Sequence, residues 1–88
     1  MKVVFLRKFS KDLDKIKKPR DRNSILEIIE LVKQVETFEE IPDVKKLSGF
    51  EDAFRIHSGD CRIGVFVTEE SVEFARVIHR KDIYKVFP

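Results

Sequence analysis

Tryptophan is absent from this 88-residue chain, cysteine and methionine occur once each, and glycine and proline three times each. A single cysteine, Cys61, excludes an internal disulfide and a cysteine-based zinc site, and fits a reducing compartment. Glycines at positions 49, 59 and 64 form neither a dinucleotide fingerprint nor a phosphate loop, which excludes nucleotide chemistry of those kinds. No apolar run approaches the roughly 18 residues that span a bilayer. The stretch Val3–Leu6 is too short, and too quickly followed by charge, for the core of a signal peptide. The expectation is a cytoplasmic protein with no membrane partner. Linkers, repeats and low-complexity stretches are also missing, so residues 1–88 read as one domain; a second would have too few residues for a core.

What the chain has is charge and phenylalanine. Charged residues make up 39% and apolar residues 42%, with eight Phe, a balance that argues for a folded domain. The net charge of +2 hides a gradient. Residues 1–24 hold nine Lys/Arg against three acids, residues 25–53 three against eight, and residues 54–88 six against five. Lys11, Lys15, Lys17, Lys18, Arg20 and Arg22 of the basic arm read either as a solvated helix face or as a target for an acidic partner segment or ribosomal RNA.

Periodicity predicts a strand at Lys2–Arg7. A short helix follows over about 10–17, with Ser10 as its N-cap, because Phe9, Leu13 and Ile16 recur at helical spacing. Ile25, Ile28, Ile29, Val32 and Val35 define a longer helix from Pro19 or Asp21 to about Thr37. Residues 38–48 read as a connection. A β-hairpin is expected from Phe54–His57, the turn Ser58–Asp60 and Cys61–Val67, and a further strand from Val72–Ile78. The tail 81–88 lacks periodicity. The order β-α-α-β-β-β indicates an α+β domain, an antiparallel sheet covered on one face by two N-terminal helices and joined by the first strand. Arg55, His57 and Arg62 then fall at alternate strand positions on the open face, as a polyanion cradle would require.

Among side chains able to do chemistry, His57 and His79 sit on different elements beside ordinary surface acids, so neither a metal nor a cofactor is expected. Cys61 paired with a histidine would make a nucleophile, whereas a cysteine flanked by strand residues reads as small core. The remaining set is basic and aromatic: Arg55, His57, Arg62, Arg76, His79, Arg80, Lys81 and Tyr84. RNA is cleaved when its own 2′-hydroxyl attacks the adjacent phosphate, given a proton acceptor, a proton donor and cations on the phosphate. Histidine suits the proton roles and arginine the phosphate. Tyr84 suits base stacking or proton transfer. The alternative is that these arginines form surface pairs and Tyr84 packs the last turn on the sheet.

The run Lys45-Lys46-Leu47-Ser48-Gly49, then Phe54-Arg55-Ile56-His57, then Gly59-Asp60-Cys61-Arg62-Ile63-Gly64, resembles the RelE/ParE toxin superfamily of bacterial toxin–antitoxin modules. That family carries a K-L-x-G turn, a Y-R-I-R-x-G-D-Y-R-I hairpin and an ending near H-R-x-x-x-Y, which Arg76–Tyr84 resembles. The resemblance spans the chain and implies the same fold. It implies one of two activities, ribosome-dependent cleavage of messenger RNA (RelE-like) or inhibition of DNA gyrase (ParE-like), or an inactive relative that only binds an antitoxin. Partners implied are a cognate antitoxin, the ribosome with its mRNA, and operator DNA through the antitoxin alone. By position, the resemblance assigns catalysis to Arg55, His57, Arg62, His79, Arg80 and Tyr84, and RNA or ribosome contact to Lys45, Lys46, Arg76 and Lys81. Phe54 and Cys61 stand where the motif has tyrosine, and His57 where it has Lys or Arg, exchanging fixed charge for a proton-transfer group.

Overall fold

The computed structural model describes residues 1–88. It is an α+β domain of five strands and three α-helices. The elements are β1 (Lys2–Phe5), α1 (Arg7–Lys15), α2 (Pro19–Gln34), a 3-10 turn (Phe38–Glu40), β2 (Val44–Lys46), β3 (Ala53–Ser58), β4 (Cys61–Val67), β5 (Ser71–His79) and α3 (Ile83–Val86). The sheet order is β1-β5-β4-β3-β2. Strands β3 to β5 form the expected antiparallel meander, β2 extends it at one edge, and β1 joins the β5 edge in parallel.

Local chemistry sets the element ends. Helix α1 starts at Arg7, three residues earlier than the Ser10 cap suggested, with Ser10 inside it. The Leu6 N–H donates to the Phe74 carbonyl at 2.9 Å, so the chain leaves the sheet and enters the helix without a loop. At the far end, Arg22 Nη1 donates to the Leu13 and Ile16 carbonyls at 2.6 and 3.1 Å, adding a second donor at Leu13 and supplying one at the Ile16 cap. Arg22 is therefore withdrawn from the free basic arm. Proline 19 opens α2, where its missing N–H costs nothing. That helix stops at Gln34 rather than Thr37, because Thr37 and Glu40 cap the next turn reciprocally, with the Glu40 carboxylate accepting the Thr37 N–H at 3.0 Å.

The two faces of the sheet are closed differently. On one, α1 and α2 bury Phe9, Ile25, Ile29 and Val32 against Ile56, Ile63, Val65, Val72, Phe74 and Val77. Each such side chain contributes about 1.5–3 kcal/mol of transfer free energy. Phe5, Phe9 and Phe74 stack with ring centroids 5.4–5.7 Å apart, tying β1, α1 and β5 together. On the other face, the tail without periodicity forms α3, and Ile83 and Phe87 bury against Leu47, Ala53 and Ala75. A register shift at Gly64/Val65, where Gly64 pairs Arg76 and Val65 pairs Phe74, leaves Ala75 as the extra β5 residue. Strand β2 was not expected. It is three residues long, with Lys45 and Lys46 exposed, a common protection for a sheet edge.

Candidate functional site

Strand alternation assembles the site on the face opposite α1 and α2. Arg55 and His57 are two apart on β3, His57 pairs directly with Arg62 of β4, and Lys45 of β2 pairs with Arg55. Four basic side chains therefore leave the sheet on one side. Above them, α3 brings the Tyr84 ring to 4.5 Å from the Arg55 guanidinium carbon, a cation–π contact. Arg62 bends back to the hairpin turn, where Nη1 donates to the Gly59 and Cys61 carbonyls at 2.8 and 2.9 Å. Those bonds hold one edge of the guanidinium and leave the other free. The turn itself depends on Gly59, whose φ of +58° suits glycine.

The electrostatics of this face are unbalanced. Ion pairs in the molecule join Lys33–Glu30, Arg76–Asp12 and Lys85–Asp82, and none includes Lys45, Arg55, His57, Arg62 or Arg80. Arg55 is 8% exposed, yet its Nε has no hydrogen-bond partner. A buried guanidinium without a carboxylate is costly and strongly anion-seeking. Tyr84 is 72% exposed although its ring lies over Arg55.

Other expected site residues lie elsewhere. Arg76 is locked to Asp12 by a bidentate pair, Nε to Oδ2 at 2.7 Å and Nη2 to Oδ1 at 3.0 Å, and Asp12 also accepts the Val77 N–H at 3.1 Å. Pairing with β1 ends at Phe74, and the Asp12 carboxylate serves the β5 edge beyond it. The hydrogen bonds to Asp12 raise the Arg76 pKa further and keep it charged. Arg76 is thus held in a structural ion pair rather than standing free among the other cations. His79 pairs across strands with Cys61, whose side chain belongs to the helix-side core, so it leaves the sheet on the opposite side from His57. Its Nδ1 accepts the Lys81 N–H at 3.1 Å. Lys46, opposite Phe54, likewise falls outside the set. Arg80 and Lys81 are exposed after β5, and the Arg80 N–H donates to Asp60 in the hairpin turn at 2.8 Å, at the His57–Arg62 end. Cys61 is buried, and its pKa is raised by burial first and by Asp21 and Asp60 next, which disfavours a thiolate nucleophile. No three His, Cys, Asp or Glu side chains converge as a cation site would need.

The family model for the ParE toxin of the type II toxin–antitoxin system, parDE, matches residues 3–84. The toxin RelE3 of Methanocaldococcus jannaschii is 38% identical over 89 residues, spanning the whole of both chains. This chain belongs to the RelE/ParE toxin superfamily. Its fold superposes on the toxin of the RelB–RelE antitoxin–toxin complex from Methanococcus jannaschii with a TM-score of 0.82 at 35% identity, over 97% of this chain and 99% of that one. YafQ from E. coli, at 17% identity and a TM-score of 0.73 over 93% and 96% of the two chains, shares the fold. In this family member, the basic side chains of that face are the ones left without an acidic partner. Asp12, which the sequence reading passed over, is the residue that removes Arg76 from that face. Its signal was an acid placed between the apolar positions Phe9 and Leu13 of an amphipathic helix.

Proposed function

We propose that this toxin is an endoribonuclease that cleaves messenger RNA held by the ribosome. The observation that carries the reading is the set without acidic partners on one sheet face, the Arg55 and Arg62 guanidiniums with the His57 imidazole between them in register, and Tyr84 over Arg55. In this reading the RNA 2′-hydroxyl attacks its own 3′-phosphorus as His57 takes the proton. The bond to the 5′-oxygen breaks, and that oxygen collects a proton from the Tyr84 hydroxyl, leaving a cyclic phosphate and a 5′-hydroxyl end. Arg55 and Arg62, with Arg80 at the rim, balance the charge that builds on the phosphoryl oxygens. Proton and charge work fall to side chains, and no cofactor enters the scheme. The face is shallow and the domain small, so positioning of the message falls to the ribosome. The partner that restrains the toxin is a cognate antitoxin, in keeping with the antitoxin-bound relative from Methanococcus jannaschii.

The test is primer extension on a defined message with and without purified ribosomes. Cleavage only with ribosomes, giving 5′-hydroxyl ends, is the expected result. The ParE description of the matching family model favours a second reading, gyrase inhibition. Loss of supercoiling activity in a gyrase assay, with the message intact, would replace the first reading by the second.

A further inference from the structure

Gly64 lies within β4, where a glycine weakens a strand, and its φ is outside the left-handed region. Backbone freedom therefore does not explain it. Space does: a Cβ at Gly64 would fall 2.5–2.8 Å from three ring carbons of Phe87. Phe87 is 6% exposed, lies directly on that backbone, and meets the Phe66 ring at 5.1 Å between centroids. Gly64 is also the cross-strand partner of Arg55. The Phe87 ring thus occupies the position over the β4 backbone directly opposite Arg55.

The helix that carries Tyr84 spans four residues, Ile83–Val86, too few to persist alone in water. Tyr84 itself is mostly exposed and contributes little to holding it. Its buried anchors are Ile83 before the tyrosine and Phe87 after it, joined by the Phe87 N–H donating to the Ile83 carbonyl at 3.0 Å. We infer that Phe87, seated on Gly64, is a positioning residue that fixes α3 so that Tyr84 lies over Arg55. Without that seat the last turn frays, the ring leaves the guanidinium, and the proton donor loses its place. This assignment deepens the endoribonuclease reading and rests on it for its catalytic consequence, while the placement of Tyr84 is testable alone.

Tyr84 is the only tyrosine and there is no tryptophan, so the near-ultraviolet circular dichroism band of tyrosine reports on this one ring. Phe87→Ala is expected to collapse that band toward the unfolded-chain signal while the far-ultraviolet spectrum stays folded. Gly64→Ala is expected to do the same from the sheet side, because the added methyl displaces the Phe87 ring. In ribosome-dependent cleavage, Phe87→Ala should lower kcat on the order of a hundredfold, as misplacement of a catalytic group does, with KM little changed. A folded Phe87→Ala or Gly64→Ala protein with the parent's full tyrosine band overturns the assignment. Absence of cleavage by the parent protein would instead remove the endoribonuclease reading and leave the band experiment to decide the placement.

Discussion

Arg76 and Arg55 stand on β5 and β3, two strands of one sheet, the first partly and the second fully buried, and their surroundings are opposite. Arg76 has a carboxylate in bidentate contact and that carboxylate also takes a backbone N–H, so every charge at that edge is answered. Arg55 has an aromatic face, a buried Nε without an acceptor and no acid within ion-pair distance. The first arrangement closes a sheet edge. The second leaves free energy to be recovered when an anion arrives. The missing counter-charge is what separates Arg55 from Arg76 as a candidate for anion contact.

The contrast can be broken most forcefully at Asp12. Asp12→Ala strands the Arg76 cation and the Val77 N–H, and should lower unfolding free energy by about 3 kcal/mol in urea titration. Adding Arg76→Met should return part of the loss, because no unpaired charge remains. Next in size is Arg62→Ala, which should cost about 2–4 kcal/mol of transition-state stabilisation in ribosome-dependent cleavage while stability barely changes. Full cleavage by this variant would remove Arg62 from the site. Arg55→Met is the mirror of the Asp12 change: loss of cleavage is expected with a stability gain of about 1 kcal/mol, since an unsatisfied buried donor disappears. A clear loss of stability there would mean that Arg55 is structural after all.

The smallest effect concerns alkaline pH. Burial and the nearby Asp21 and Asp60 raise the Cys61 pKa in the folded chain. Above the ordinary thiol range the unfolded chain loses that proton first, so the folded state binds more protons and stability falls as pH rises. Below that range the contribution is fully present. Urea titrations from pH 8 to 10 should show a shallower decline in Cys61→Ala than in the parent.

Much of the fold was legible because apolar spacing reports directly on buried faces. The Ile25–Val35 stripe placed α2, and alternation in Phe54–Val67 placed the hairpin with Arg55, His57 and Arg62 on a shared face. Boundaries were less legible where the determinant is distant in sequence. Helix α1 starts early because Leu6 bonds to Phe74, and α2 stops early because Thr37 is claimed by Glu40. The tail gave no signal, since a four-residue helix has too few turns to show a period and is held by contacts with Leu47, Ala53 and Ala75.

By itself, then, the sequence determined the α+β class, the cationic hairpin and the family motifs, all of which depend on residue types at short, regular spacings. Tertiary structure alone decided which cations remain available. Asp12 lies 64 residues from Arg76, and no local pattern can foretell that pairing. Strand register turned His79 away from His57 through its pairing with Cys61, and the Tyr84–Arg55 contact waited on a helix packed across the sheet. Whether a charge is neutralised depends on what lies within a few ångströms in space, which chain position does not encode.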